Sequence, residues 1–353
     1  MTNSPRRFAA KQSGFTMIEL MIALLLGLLV VAAASSLFLS NKRVYGATEA
    51  VGRIQENQRS AFEILARDIR EAGNNPCLRL DGVNSDIFGI QLAAPDLAFW
   101  SRFSDGISGA DGTGANGSDE VTLYAANGIS YSVNEHKRPA DAITVSTATA
   151  GITDGQLLMV CNNDYAMVFS ASGITPAGTT VGHAGAANCG ASFTRPRSGS
   201  ADCAAVNANP GYCFWLGAGV ARTAADVAAC PGGIGQSPAY VVAPSSALWT
   251  VAANGRGGTS LYRTVGGVRS EIAEGVTALN LSYKVGNAAA YENAATVTAA
   301  ANGWARVNAV RVQMTFQAAE GALQRGDVTG TEGAALSRTL DDYIVLRNHQ
   351  DIQ

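Results

Sequence analysis

The stretch GFTMIEL (residues 14–20), which leads into the uncharged run LMIALLLGLLVVAAASSLFL (residues 20–39), decides the fold of this chain. As an α-helix rising about 1.5 Å per residue, that run spans about 30 Å, the hydrocarbon thickness of a bilayer. Arg6, Arg7 and Lys11 precede it, and basic residues mark the cytoplasmic side of a membrane. The sequence therefore predicts one transmembrane helix with a cytoplasmic N-terminus.

A secretory signal peptide fits this N-terminus poorly. Such a signal has an apolar core of roughly 7–15 residues, followed by a cleavage site of small residues. Here the apolar run is longer, and the small residues Ser13 and Gly14 precede it. Glu19 is also unexpected in a signal peptide, because carrying a carboxylate toward the bilayer centre costs about 2.5–3.5 kcal/mol. A carboxylate at such a position indicates a functional partner. If the chain is cut after Gly14, the new α-amino group of Phe15 lies four residues from Glu19, on one helix face.

Gly14, Phe15, Thr16 and Glu19, followed by a long apolar helix, resemble the class III signal of type IV prepilins. The resemblance implies that a prepilin peptidase cuts after Gly14 and N-methylates Phe15. It also implies that Glu19 neutralises the N-terminus of a neighbouring subunit during filament assembly. Residues 1–14 are then a leader peptide, and residues 15–72 a spine helix with a transmembrane part at 15–39 and an amphipathic part at 40–72.

The amphipathic part shows helical periodicity. Apolar residues recur at steps of three and four, with Gln58 as one interruption, at Val44, Ala47, Val51, Ile54, Ala61, Leu65, Ile69 and Ala72. Glu49–Arg53 and Glu63–Arg67 have the spacing of ion pairs on the polar face. Gly73, followed by Asn74-Asn75-Pro76, predicts the helix end. We expect this stripe to pack on the chain's own globular domain; a coiled-coil dimer is the alternative.

From residue 77 onward the sequence is typical of β-structure, with short β-rich runs bounded by Gly, Asn, Asp and Pro. Strands are predicted at 121–125, 129–133, 142–147, 156–161, 165–170, 260–265, 268–272, 276–285, 307–317 and 340–347. Two pairs of runs predict hairpins, one with an Asn/Asp turn at 162–164 and one turning at Gly266-Gly267. The predicted fold is α+β and pilin-like: a long N-terminal spine helix packed on an antiparallel β-rich globular domain at 73–353.

The middle of that domain, at about 175–235, is rich in Gly, Ala, Asn and Pro. We predict a loop-rich insertion held by disulfides, without a core of its own. The chain has six cysteines, an even number that favours disulfides in an oxidising compartment: Cys77, Cys161, Cys189, Cys203, Cys213 and Cys230. Their spacing leaves the pairing open. Glycine-rich runs at 106–117, 286–303 and 321–333 are predicted to be surface loops.

Charge and motif content argue against several functional classes. With only 25 Lys and Arg and a net charge of −3, the chain lacks the basic surface of a nucleic-acid binder. His136, His183 and His349 are scattered, and no C-x-x-C pair is present, so neither a catalytic constellation nor a zinc site is predicted. Residues 112–117 fit G-x-G-x-x-G but precede a strand, whereas a dinucleotide site needs a helix there.

Three acidic residues remain as a candidate ion site. Asp111, Asp119 and Glu120 lie in a glycine-rich stretch but lack the ligand spacing of an EF-hand, so a solvated turn is favoured over calcium. We therefore predict a protein that is not an enzyme and that has no metal and no cofactor.

The second half of the chain carries a further resemblance. LYRTVGG (261–267), EGV (274–276), Trp304 before Val310-Arg311-Val312, and LRN (346–348) are similar to the PilW family of minor pilins, as is AFEILARDIREAGN (61–74). This implies a minor pilin that helps initiate or cap type IV pilus assembly at the filament tip, in a system that drives twitching motility. The implied location is the inner membrane, with a periplasmic C-terminal domain, and then the pilus tip.

The resemblance also implies partners: the prepilin peptidase, other minor pilins, the major pilin, an inner-membrane assembly platform and, as a further candidate, a large tip adhesin. A J-type pseudopilin of type II secretion is the first alternative, because it shares the spine helix and a related β-rich domain. A membrane-anchored adhesin or DNA-uptake module is the second. It would use the insertion, with Arg195, Arg197, Tyr212, Phe214 and Trp215 as its binding surface.

Overall fold

The computed structural model describes residues 14–77, 88–126, 128–194, 203–204, 210–215, 223–235, 237–318 and 336–349. The helices are α1 Met17–Glu71, α2 Leu97–Asp105, α3 Ala224–Ala229 and α4 Ala294–Ala299. The strands are β1 Phe88–Ile90, β2 Ile107–Ala110, β3 Glu120–Ala125, β4 Ser130–Glu135, β5 Ile143–Val145, β6 Leu157–Cys161, β7 Ala166–Ser170, β8 Thr180–Val181, β9 Tyr212–Cys213, β10 Gly233–Ile234, β11 Tyr240–Val242, β12 Ser245–Ala253, β13 Thr259–Val265, β14 Val268–Glu274, β15 Val276–Val285, β16 Val307–Gln317 and β17 Ser337–Val345.

Within the described residues the strands form four sheets. Their orders are β1-β7-β6-β11-β4-β5-β8, β14-β13-β12-β3-β2, β15-β16-β17 and β10-β9. The β1–β7 and β10–β9 pairs are parallel, and the other pairs are antiparallel. A long N-terminal helix followed by an antiparallel β-rich domain confirms the predicted α+β, pilin-like fold.

The C-terminal part of α1 packs against the five-stranded and the three-stranded sheets. Ile54, Ala61, Leu65 and Ile69 are buried in one cluster with side chains of both sheets. The predicted apolar stripe is therefore confirmed from Ile54 onward. Val44, at its start, is 63% exposed, because α1 extends beyond the domain there.

Of the two ion pairs predicted on the polar face of α1, one is present. The guanidinium of Arg53 lies 2.8 Å from the Glu49 carboxylate, as predicted. The Glu63–Arg67 prediction is wrong: Glu63 pairs with Arg59, at 2.9 Å. Both Arg59 and Arg67 lie one helical turn from Glu63, so the spacing offered two partners.

Both predicted hairpins are present. In the β6–β7 turn, Asn162 Oδ1 accepts from the N–H groups of Asp164 and Tyr165 and so fixes the turn. In the β13–β14 turn, Gly266 and Gly267 have φ values of 56° and 79°, as a primed turn requires.

Three strand and loop predictions need correction. Residues 106–117, predicted to be a loop, contain β2, whose Ile107 is fully buried. Residues 286–303 contain α4, whose Ala294 and Val297 are buried. The strand predicted at 340–347 begins earlier, at Ser337, and is followed by a 3₁₀ turn at Arg347–His349. The third glycine-rich run, at 321–333, lies outside the described residues.

The seven-stranded sheet is buried on both faces. Along β6, Leu158 and Val160 lie in one apolar cluster and Met159 in another, as the two-residue period of a strand requires. The first cluster includes Phe193 and Phe214, and the second includes aromatic side chains of α2. The insertion thus adds to the core of this sheet.

One ion pair joins α1 to the five-stranded sheet. The Arg263 guanidinium donates to both carboxylate oxygens of Asp68, at 2.6 and 3.2 Å, and Trp249 Nε1–H donates to the same carboxylate at 2.9 Å. The Asp68 side chain is only 13% exposed. This carboxylate therefore fixes how α1 docks on the sheet.

We expect Asp68→Asn to lower the free energy of unfolding by about 3 kcal/mol, because a partly buried Arg263 loses its counter-charge. Glu49→Gln is the matched control. It removes the exposed pair with Arg53, and we expect a change of about 0.5 kcal/mol or less. Urea unfolding of the two variants measures both effects, and equal losses would refute the docking role of Asp68.

Candidate processing and assembly site

The predicted cleavage site lies at the exposed start of α1. Gly14 and Phe15 precede the helix and are not helical, and Phe15 is 89% exposed. Apart from the chain neighbours of Gly14, no atom lies within 4 Å of a Cβ built on this residue. The bond between these two residues thus joins two exposed residues and lies outside regular structure.

Glu19 is held at the helix start by a reciprocal capping box. Thr16 is the N-cap, and its hydroxyl accepts from the Glu19 N–H at 3.3 Å. In return, Glu19 Oε2 lies 3.4 Å from the Thr16 backbone N–H and 3.3 Å from its hydroxyl. The carboxylate is therefore directed back toward residue 15, against the positive end of the helix dipole. The sequence signature T-x-x-E could have revealed this role of Thr16.

The first part of α1 presents apolar side chains on every face. Every residue from 14 to 45 is exposed, and no described part of the globular domain covers the large apolar side chains of this segment. By length and composition, α1 includes a segment that can cross a membrane. Such a surface is stable only in lipid or among other apolar helices.

Among protein-family models, that of the prokaryotic N-terminal methylation motif matches residues 9–35. Neither the curated proteins nor the solved structures contain a significant match. The motif indicates a type IV pilin or a pseudopilin, a class of structural, non-enzymatic proteins processed by a prepilin peptidase and assembled with other pilins. The exposed apolar helix is consistent with single-pass anchoring in the inner membrane. The match ends within α1, so any finer assignment depends on the globular domain.

The structure joins all six cysteines in three disulfides: Cys77–Cys161, Cys189–Cys203 and Cys213–Cys230. The Cα–Cα distances, 5.7, 4.8 and 5.9 Å, lie in the usual range. The first disulfide ties the segment after α1 to β6, inside the seven-stranded sheet. The other two lie within the sequence range predicted to be the insertion.

Reduction of the purified chain in detergent is expected to lower its melting temperature by roughly 10 °C or more, because each disulfide contributes about 2–4 kcal/mol. Calorimetry with and without reductant measures the difference. An unchanged melting temperature would mean that the cysteines are free thiols.

Two of the three carboxylates of the candidate calcium site accept hydrogen bonds from backbone donors. The Asp111 oxygens accept from the N–H groups of Ala294 and Ala295, at 2.9 and 2.8 Å. The Asp119 oxygens accept from Gly112 and Leu281, at 2.9 and 2.7 Å. These two side chains therefore connect the β2–β3 loop to α4 and β15.

The aromatic residues proposed for a binding surface on the insertion are buried. Tyr212, Phe214 and Trp215 are each at most 7% exposed. They cannot line an exposed surface, so this part of the adhesin hypothesis is wrong. Arg195 and Arg197 lie outside the described residues.

Two of the scattered histidines meet in the core, which the sequence did not indicate. The rings of His136 and His183 are 5.8 Å apart, and both residues are at most 1% exposed. Burial lowers the pKa of His136 to about 3 and that of His183 to about 4. Both imidazoles are therefore neutral at pH 7. His349 lies elsewhere, against Gly73 at the end of α1.

Proposed function

We propose that this chain is a minor pilin of the PilW type, which helps initiate or cap a type IV pilus at its tip. The observation that carries the assembly role is the start of α1, where a capped carboxylate follows an exposed Gly14–Phe15 bond and leads an uncovered apolar helix. In lipid the helix is stable but the charge of Glu19 is costly. Among other spine helices the same carboxylate has a cationic partner.

The partner we propose for Glu19 is the N-methylated α-amino group of Phe15 on a neighbouring subunit. The capping box directs the carboxylate toward the N-terminal end of the helix, where such groups gather when spines are bundled. Charge pairing sets the axial register, and packing of apolar side chains supplies contact along the helix.

PilW-like membership depends on the motifs of the second half, which lie on the elements that hold α1. LYRTVGG lies on β13 and its turn, where Arg263 binds Asp68 of α1. LRN follows β17, where Asn348 Nδ2–H donates to the carbonyl of Ala72 at the end of α1. We propose that these motifs keep the spine helix rigidly attached to its domain, so that a neighbour contacting the domain also positions the spine.

The alternative is a J-like pseudopilin at the tip of a type II secretion filament, which would use the same spine and the same Glu19. Deletion of the gene, with surface pili, twitching motility and secretion of an exported enzyme scored together, separates the two. Our proposal predicts lost pili and intact secretion. Intact pili with blocked secretion would establish the pseudopilin, and normal pili with normal secretion would contradict both.

A further inference from the structure

The buried histidine pair lies beneath a small unit of the insertion, which we call the cap segment: residues 210–215 and 223–235. Pairing of β9 with β10 and the Cys213–Cys230 disulfide hold its two parts together. It rests on the seven-stranded sheet through Phe214, which lies in the same cluster as β6 and β7 side chains. Neither the assembly site nor the spine helix involves this region.

The cap segment uses a histidine nitrogen as a hydrogen-bond acceptor. The backbone N–H of Phe214 donates to Nδ1 of His136 at 3.1 Å. An imidazolium carries a proton on both nitrogens and accepts no hydrogen bond. When His136 is protonated, its Nδ1 therefore can no longer accept this hydrogen bond from Phe214.

The second histidine makes protonation of this core less favourable still. The His183 ring stacks on Phe193 at 3.9 Å, and its Nε2 contacts the Asp141 carbonyl at 2.8 Å. A proton on both rings would place two cations 5.8 Å apart among the side chains of Phe193, Phe214 and Phe169.

The charged groups around His136 and His183 do not offset the cost of protonating the two rings. Glu135 pairs with Lys137 at 2.7 Å, and Asp226 of α3 is shared between Thr223 and Arg138. Asp141 contacts the His183 ring with its backbone carbonyl. Burial lowers the His183 pKa more than the charge of Asp141 raises it. The Tyr165 hydroxyl donates to the Cys213 carbonyl. Among the described residues, no carboxylate hydrogen-bonds either imidazole.

We propose that His136 and His183 form a proton-sensitive latch: acidification releases the cap segment from the seven-stranded sheet while the rest of the domain stays folded. The released state binds protons that the closed state excludes. Because the histidine pKa is lower in the closed state, closure is most stable above about pH 6.5 and weakens as the pH falls. Each histidine raises the opening equilibrium about tenfold per pH unit below that value.

The cap segment is suited to separate opening. Its strands are two residues long and pair with each other. Backbone groups of Phe214, Tyr212 and Cys213 bond to His136, Phe193 and Tyr165, and both sulfur atoms of its disulfide contact the Lys137 carbonyl. Among the described residues, no strand ladder joins the cap segment to the seven-stranded sheet, so its opening breaks no strand pairing of that sheet. Opening does take the side chains of Tyr212, Phe214 and Trp215 out of the core. The Cys213–Cys230 disulfide keeps its two parts joined when it opens.

The test uses the full chain in detergent and a water-soluble phosphine, which reduces disulfides at acid and neutral pH. The rate of reduction of Cys213–Cys230 is divided by that of Cys77–Cys161, whose Cys161 is buried in β6. Alkylation and peptide mass spectrometry give both rates. The latch predicts that this ratio rises at least tenfold between about pH 7.5 and about pH 4.5. A constant ratio, whether both bonds stay protected or both open, overturns it.

Two variants and a control assign the effect to the pair. In His136→Asn, the amide oxygen can accept from Phe214 without titrating, and with His183→Asn added the ratio is expected to stay flat with pH. His349→Asn, the same substitution at a histidine outside the pair, should keep the rise of the parent chain. A rise that persists in the double variant overturns the latch. If the double variant fails to fold, the ratio in the parent chain still decides.

Discussion

A strain carrying Glu19→Ala is expected to cut its prepilin normally but to assemble few or no pili. The Gly14–Phe15 bond is exposed and lies outside the helix, so the peptidase retains its substrate. What is lost is the carboxylate that pairs with a neighbour's α-amino group. Removing that pairing from an apolar bundle costs about 2–3 kcal/mol, or roughly 30–150-fold in the assembly equilibrium. Immunoblots of membrane and sheared surface fractions measure cleavage and assembly separately.

Glu19→Gln is the matched variant. Its amide oxygen can still accept from Thr16 and so preserves the capping box, but it carries no charge. If Glu19 acts by charge pairing, Gln and Ala are equally defective. Normal piliation of the Gln variant would show that Glu19 serves only as a helix cap, and would contradict charge pairing with a neighbour's α-amino group.

A soluble fragment that begins at Gly73 is expected not to fold, whereas one that begins at Val44 is expected to fold. Removal of α1 takes Ile54, Leu65 and Ile69 out of the main core. Each large apolar side chain contributes about 1.5–3 kcal/mol when buried, so their loss is comparable to the whole stability of a domain, about 5–15 kcal/mol. Every residue from 14 to 49 is at least partly exposed, so the longer fragment keeps the core.

Circular dichroism and the dispersion of amide proton signals in NMR spectra distinguish folded from unfolded fragments. The fragment from Val44 is the control for expression and solubility, because it differs only by the amphipathic part of α1. A cooperative thermal transition in the Gly73 fragment would contradict this expectation, because it would show that the five-stranded and three-stranded sheets fold without α1.

Regular patterns in the sequence were sufficient to predict the spine helix and the longest strands. Strands β15 and β16 match their predicted ranges residue for residue, because long alternating runs leave one choice of buried face. In β16, Val310, Val312, Met314 and Phe316 are all fully buried, as the alternation predicted. The helix observed at Met17–Glu71 differs from the predicted range by two residues at its start and one at its end.

Short strands built from small residues were not predicted from the sequence. Strand β12 is Ser- and Ala-rich at both ends, and β2 contains Gly109, so neither carries a strong strand signature. Gly109 is there because Tyr283 leaves no room for a side chain, a reason that only the packing reveals. Helix α2 did have local signals, an N-cap at Asp96 and a left-handed Gly106 at its end.

Contacts between residues far apart in the chain could not be predicted from the sequence. Cys77 meets Cys161 across 84 residues, and His136 meets His183 although neither lies in a recognisable motif. Such contacts follow from sheet order, which local periodicity does not specify. The candidate assembly site was predictable because all its residues are local to one helix start.

The most direct measurement of the account is mass spectrometry of filaments sheared from the cell surface and purified. We expect this chain to be present in them at low abundance, with Phe15 as its first residue and an N-methyl group on that residue. Detection in filaments of a chain that still holds Gly14 and the residues before it would contradict the account. So would confinement of this chain to the inner membrane in cells that assemble normal pili.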